Sequence, residues 1–244
     1  MKITAIIQTR MGSTRLPGKV LKKLGDKTVL AHVIERVSQS TEVDDIIIAT
    51  TENPEDHQVV DEALKAGVKV FRGSESDVLS RYYYAAKQNN TDVVVRITSD
   101  CPLIDPNIID EMIKLYINES YDIVTNAGSD ISQRTYPRGL DAEIFSFGEL
   151  KNAFSYAKEP YQLEHVTPYL YENSNNIYIY KHPYDYSMYR WTLDTNEDFN
   201  LITEIYKRLY RGEHSFYLND IIQVFKKEAD LFAINKHIEQ KKIN

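Results

Sequence analysis

Three cations, two hydroxyls and two glycines fall within ten consecutive positions, Arg10-Met11-Gly12-Ser13-Thr14-Arg15-Leu16-Pro17-Gly18-Lys19. These residue types share one use. Arginine forks match phosphate oxygens, lysine supplies a point charge, hydroxyls donate hydrogen bonds, and glycine lets backbone approach a ligand closely. Together they can offset the charge of a nucleoside triphosphate. The spacing is not that of the G-x-x-x-x-G-K-[ST] loop: the stretch from Gly12 to Gly18 is one residue longer, and Val20 follows the lysine. The alternative is an ordinary solvated basic loop. Residues 1–25 hold Lys2, Arg10, Arg15, Lys19, Lys22 and Lys23 and no acid, in a chain of net charge −7. That contrast points to a small anion bound locally, not to a polymer bound along a face.

Two carboxylates could complete such a site. Asp100 lies in Ser99-Asp100-Cys101-Pro102-Leu103-Ile104-Asp105, just past a strongly apolar run, and Asp194 in Tyr189-Arg190-Trp191-Thr192-Leu193-Asp194-Thr195. A hard divalent ion takes carboxylate oxygens and bridges nucleotide phosphates. Two carboxylates brought together without a cation repel, and one tends to protonate. Replacing either by its amide is therefore expected to leave stability unchanged or raised. The competing role is a helix cap. It is the better reading of Asp105, which precedes Pro106 and a helical pattern, and Asp194 or Thr195 could cap in the same way.

A third group occurs in Pro137-Arg138-Gly139-Leu140-Asp141-Ala142-Glu143. Strand alternation places Asp141 and Glu143 on one side. Arg138 suits an acceptor carboxylate or phosphate, and equally a structural pair with Asp141. His165 is a possible base, although a lone histidine is more often structural.

The elements that must position these residues alternate. Residues 3–9 (ITAIIQT), 45–50 (DIIIAT), 68–71, 92–98 (DVVVRIT) and 122–125 read as strands. Between them, Val29, Leu30, Val33, Ile34 and Val37 share a helical face, and helices are expected over 53–67, 77–89 and 106–119. This pattern predicts an α/β fold with a mostly parallel sheet covered on both faces. The basic loop then follows the first strand, at the edge where ligands of such sheets sit. From residue 127 to 189 the character changes, with strands expected only at 142–147 and 177–180. Nine of the 18 tyrosines fall between Tyr156 and Tyr189. Tyrosine suits interfaces, so residues 127–189 read as an insertion for acceptor binding and dimerisation within one domain spanning 1–244. The tail from Asn196 is helical and charged.

Composition bounds the class. Hydrophobic residues make up 42% and charged residues 27%, as in globular proteins. The acidic balance disfavours nucleic acid and anionic membrane as partners. The single cysteine, Cys101, fits a reducing compartment, and no apolar run reaches membrane-spanning length. A cytoplasmic protein is expected.

The basic loop resembles the signature of cytidylyltransferases that make CMP-activated acidic sugars, the CMP-Kdo and CMP-sialic acid synthetases. The run STRLPGK is close to the Kdo branch, and MGSTRLPGK as a whole is most similar to the spore-coat-polysaccharide branch. Asp100 resembles the aspartate of the family's G/S-D-x-P-L motif. Asp194, in Asp194-Thr195-Asn196-Glu197-Asp198, resembles a second metal aspartate, and Glu164-His165 a motif near the acceptor. One departure stands at Gln8-Thr9, where related synthetases often have Pro-Ala.

The resemblance implies a Rossmann-like sheet of the nucleotide-diphospho-sugar transferase type, CTP as donor, Mg²⁺ on Asp100 and Asp194, and a homodimer. It implies nucleotide contacts from Gln8, Arg10, Met11, Gly12, Ser13, Arg15, Lys19 and Ser99, with Arg72, Gly73, Asp77 and Arg81 near the nucleoside. Arg10, Arg15, Lys19 and Asp100 would be catalytic, and Arg138, Asp141, Glu143 and His165 would meet the acceptor. The function expected is transfer of CMP to an acidic sugar or sugar phosphate for cell-surface polysaccharide synthesis. The rivals are a glycosyltransferase of similar fold and a silent nucleotide-binding protein. The Asp-x-Asp motif usual in the former is missing from Ser99-Asp100-Cys101-Pro102.

Overall fold

The computed structural model describes residues 1–239 and builds one seven-stranded sheet beside a small hairpin. Residues 240–244 of the expected domain lie outside the described residues. In chain order come β1 (Ile3–Gln8), the hairpin strands β2 (Lys23–Leu24) and β3 (Lys27–Thr28), α1 (Val29–Val37), β4 (Asp45–Thr51) and α2 (His57–Lys65). Then follow β5 (Lys69–Gly73), α3 (Val78–Gln88), β6 (Val93–Thr98), α4 (Pro106–Asn118) and β7 (Ile123–Thr125). The remainder comprises β8 (Glu143–Ser146), α5 (Phe147–Tyr156), α6 (Pro160–His165), α7 (Pro168–Asn173), β9 (Ile177–Ile179), α8 (Asn196–Leu209) and α9 (Leu218–Lys227).

The sheet order is β5-β4-β1-β6-β8-β7-β9. β5, β4, β1 and β6 are parallel, and only β8 runs antiparallel to its neighbours. This is the mostly parallel α/β sheet that the alternating pattern predicts. Alternate residues of β1 serve opposite faces. Ile3, Ala5 and Ile7 pack with Val29, Leu30 and Val33 of α1, whereas Ile6 packs with Val78, Leu79 and Tyr82 of α3. Because the four adjacent strands β5, β4, β1 and β6 are parallel, Gly73, Thr51, Gln8 and Thr98 all end at one edge of the sheet. The segments that follow them emerge side by side.

Two expectations need revision. The 53–67 helix divides into a 3₁₀ turn at Pro54–Asp56 and α2, with Asp56 buried at the junction. Within residues 127–189 the chain contributes β8 and β9 to the main sheet, and helices α5 and α6 pack on α3. The strand expected over 142–147 stops at Ser146, whose hydroxyl caps α5 by accepting from Glu149 N at 3.0 Å. Among the described residues no helix is long and apolar enough to cross a membrane.

Candidate functional site

The loop after β1 is closed by its own backbone. Met11 O accepts from Ser13 N at 2.9 Å and from Gly18 N at 3.1 Å. Gly18 sits at φ +64, in the left-handed region that glycine enters at little cost. Asp56 pins the loop to the end of β4: it is 1% exposed, accepts from Met11 N at 2.6 Å and also from the Thr51 hydroxyl. Arg10 pairs with Glu75 at 3.2 Å, and Gly12 lies between Glu55 and Glu75, where an added Cβ would be 3.6 Å from each carboxylate. Ser13 Oγ accepts from Leu16 N at 3.4 Å, while Arg15 reaches across to Asp194 at 3.0 Å.

At the end of this loop Lys19 joins the two predicted carboxylates. Its Nζ lies 2.9 Å from Asp100 Oδ2 and 2.9 Å from Asp194 Oδ1. The two aspartates meet because the segments carrying them are stitched together. Leu193 N donates to Asp100 O at 2.8 Å, and Thr98 Oγ1 donates to Asp100 Oδ1 at 2.6 Å. Burial works against the Lys19 ammonium, but Asp100 and Asp194 outweigh it, so its pKa is raised. Burial likewise works against the Asp194 carboxylate, and Lys19, Arg15 and Arg190 together hold its pKa below the ordinary value.

This geometry revises the simple repulsion argument. The cation between the carboxylates is the protein's own lysine, so replacing either aspartate by its amide is expected to lower stability. The capping alternative also resolves. Thr195 caps α8, accepting from Asp198 N at 3.2 Å, which leaves Asp194 free to face the cleft. Asp105 caps α4 as expected, accepting from Asn107 N at 3.0 Å, and also receives Leu218 N at 2.9 Å.

Asp194 is held in place by residues to which the motifs assigned no role. Arg190 donates to both oxygens of Asp198, at 2.9 and 3.0 Å, and to Asp194 Oδ2 at 2.8 Å. Asp198 is fully buried and also accepts from Asp194 N, Thr195 N and Asn235 Nδ2. The spacing of Thr195 and Asp198 is the capping-box signal that could have drawn attention to Asp198. Asp56, Glu75 and Asn235 carry no comparable local mark.

The side expected to meet the nucleoside differs in character. Arg81 is 2% exposed, yet its Nε and NH1 have no hydrogen-bond partner among the described residues. Burial, with Arg10 nearby, lowers its pKa. Gln8 Oε1, at the end of β1, is also buried without a partner, as are the hydroxyls of Thr9 and Thr50. A Cβ on Gly73 would lie 3.1 Å from Arg81 Cγ, so glycine leaves that arginine its room. Ser99 is buried beside this edge, its N–H donating to Gln8 O at 3.1 Å. Two expected nucleoside contacts have structural roles here. Arg72 donates to the carbonyls of Thr51 and Asn53 at 2.9 and 3.1 Å, and Asp77 caps α3 by accepting from Ser80 N at 2.8 Å.

The acceptor set is only partly brought together. Asp141 pairs with Arg134 at 2.5 Å, not with Arg138, so the expected Arg138–Asp141 pair is absent among the described residues. Arg138 is fixed by its backbone, which bonds Tyr189 O at 3.1 Å and Trp191 N at 2.7 Å. Gly139 at φ +98 permits this, because a Cβ there would come within 2.5 Å of Trp191. Burial, with Arg134 and Arg190 close by, lowers the Arg138 pKa. Glu143 is removed from the cleft: it is 4% exposed, pairs with Arg96, and accepts from Thr167 Oγ1 at 2.9 Å and from the Tyr171 hydroxyl. The strand alternation that placed it beside Asp141 did not reveal Arg96, its partner on β6. His165 is half-buried at the end of α6, just before Val166 at φ 73.

Comparison with known proteins decides what this arrangement belongs to. The family description "Cytidylyltransferase" matches residues 4–239. The chain belongs to the cytidylyltransferase family. It is 34% identical over 225 residues to spore coat polysaccharide biosynthesis protein SpsF of Bacillus subtilis, spanning 84% of this chain and 87% of that one. A solved cytidylyltransferase from Leptospira borgpetersenii is 38% identical, with a TM-score of 0.89, and the match covers 99% and 100% of the two chains. A CMP-2-keto-3-deoxy-manno-octonic acid synthetase solved with CTP shares the fold at 19% identity and a TM-score of 0.64, over 85% of this chain and 99% of that one. This cytidylyltransferase is therefore a CTP-dependent nucleotidyltransferase with a Rossmann-like fold.

Proposed function

We propose that the enzyme transfers CMP from CTP to an acidic sugar or sugar phosphate in the cytoplasm, for cell-surface polysaccharide synthesis. The observation that carries this reading is Lys19 shared by Asp100 and Asp194 at the end of the phosphate loop. An acceptor hydroxyl attacks the α-phosphorus, the bond to the β-phosphate bridging oxygen breaks, and pyrophosphate leaves while the hydroxyl proton passes to water. Catalysis rests on positioning and charge neutralisation. Arg10, Arg15 and Lys19 hold the triphosphate, with Gly12 and Ser13 lining its approach.

Two converging carboxylates with hard oxygen donors suit Mg²⁺. Asp100 and Asp194 would hold it, and it would supply Lewis-acid neutralisation of phosphate charge there. The unpartnered Arg81 donors and Gln8 Oε1 fit a base edge that offers acceptors and an amine, as cytosine does. Half-buried Arg138, in a locally positive setting, fits the acceptor's anionic group. SpsF and the synthetase solved with CTP lend support to the acceptor class.

The test is a screen of acceptor pools with CTP, reading pyrophosphate. Release that depends on an acidic sugar or sugar phosphate is expected. A glycosyltransferase would consume a nucleotide sugar and release none, and a silent binding protein would turn over neither. A homodimer is supported by exposed aromatic and apolar side chains in the 127–189 segment, Tyr156 at 64%, Tyr184 at 69% and Met188 at 60%. Light scattering at micromolar protein should give twice the chain mass, and a monomer mass would contradict it.

A further inference from the structure

Lys19, as it stands, and a divalent ion compete for the same two carboxylate oxygens. Nζ is 2.9 Å from one oxygen of each aspartate. An ion bonded to the same two oxygens at about 2.1 Å would need the space that Nζ fills. A protonated amine has no lone pair with which to ligate it. The competition is strengthened at Asp194, whose other oxygen is held by Arg15 at 3.0 Å and by Arg190 at 2.8 Å. In the nucleotide-free chain these carboxylates are already neutralised by the protein's own cations.

We infer that Lys19 is a built-in stand-in for the metal, occupying its position until a triphosphate draws the ammonium away, so that the divalent ion enters with the nucleotide and not before it. This rests on the proposed metal site. The lysine is placed for such an exchange. It is the last residue of the phosphate loop and the first of the 3₁₀ turn Lys19–Leu21. Its four-carbon stem lets the head group swing between carboxylates and phosphates while the backbone stays fixed. Charge stays balanced throughout: the ammonium exchanges two carboxylates for phosphate oxygens, and a dication takes the vacated position. No covalent bond changes. The resting cleft thus holds free metal poorly, and nucleotide binding creates the metal site.

Mn²⁺ as a paramagnetic probe tests this by titration with and without a non-hydrolysable CTP analogue. For the wild type, the analogue should tighten Mn²⁺ binding at least ~10-fold beyond what the analogue alone binds in buffer, on the scale of removing one competing charge. Lys19→Gln should tighten nucleotide-free Mn²⁺ binding by a similar ~10-fold, with folding checked by circular dichroism. Wild-type Mn²⁺ affinity unaffected by the analogue would overturn the handover, and this arm needs no variant. So would a folded Lys19→Gln that binds nucleotide-free Mn²⁺ no tighter. Adding Asp194→Asn to Lys19→Gln separates the two levels. If Mn²⁺ affinity then stays unchanged, the ion does not sit on the carboxylates, and the metal site itself is wrong. If it falls while the lysine arm shows no effect, the metal site stands and only the handover fails.

Discussion

The two sides of the cleft stand in opposite states of readiness. On the phosphate side the central charges have partners: Lys19 lies between Asp100 and Asp194, Arg15 and Arg190 share Asp194, and Asp198 grips Arg190. On the nucleoside side buried polar atoms have none, the Nε and NH1 of Arg81 and Oε1 of Gln8 among them. A buried polar group without a partner costs free energy in the empty protein, which a fitting ligand recovers on binding. A paired group costs little in the empty protein, but a ligand must displace its partner. Mutations on the two sides should therefore move stability in opposite directions while both weaken function.

The largest effect is expected at the carboxylates. Asp100→Asn and Asp194→Asn should each cut turnover by ~10²-fold or more, as for loss of a preorganised charge contact. Each should also lower the stability of the nucleotide-free protein by ~1–3 kcal/mol, because buried Lys19 loses a charged partner. Melting curves and steady-state rates check both. A variant that keeps near-normal turnover at saturating Mg²⁺ would show that its aspartate is not a ligand.

Next come the loop cations. Arg15→Ala and Lys19→Ala should each weaken CTP binding by ~1.5–3 kcal/mol, about 10- to 150-fold, through loss of a charge-assisted contact. Calorimetric affinities that match wild type in both variants would remove the loop from the phosphate site. Across the cleft, Arg81→Met should weaken CTP binding by ~10-fold, yet leave the empty protein as stable or more so by ~0–2 kcal/mol, because two buried donors without partners are gone. A marked fall in melting temperature for Arg81→Met would erase the contrast between the two sides.

The smallest effect is in pH dependence. Asp194 has a folded pKa below the ordinary 3.8, so its contribution to stability is present at neutral pH and is lost as pH falls below that value. Lys19 has a folded pKa above 10.5, so its contribution is complete below 10.5 and is lost as pH rises through the raised value. Between these limits the pair contributes a flat plateau. Asp194→Asn should make the acid limb shallower, and an unchanged acid limb would mean that its pairing adds nothing to folding.

The same contrast explains what could be read before the fold was known. The loop at 10–19 was legible because its cations, hydroxyls and glycines are contiguous and follow a strand. Asp100 was legible because it ends an apolar run. Asp194 was legible as a candidate metal carboxylate, with a helix cap at Asp194 or Thr195 as the competing reading. The structure separates the two roles: Thr195 caps α8, and the backbone bond from Leu193 N to Asp100 O, distant in sequence, brings Asp194 to Asp100. Arg190, Asp198 and Asn235 escaped notice because each acts through a partner distant in sequence or hidden in the core. Glu143 misled for the converse reason: strand alternation gave its side but not Arg96, the cation on a neighbouring strand that draws it into the core. In the Tyr-rich segment the short strands β8 and β9 were legible from their alternation, but no local pattern shows that they join the main sheet.

The proposed activity is CTP-dependent cytidylyl transfer at a divalent ion held by carboxylates. It is tested most directly by pyrophosphate release from each nucleoside triphosphate with an acidic-sugar acceptor, before and after chelation of divalent ions. The predicted result is release with CTP well above UTP, ATP or GTP, abolished by chelator and restored by Mg²⁺. Release that survives chelation, or that favours another base over cytosine, would contradict it.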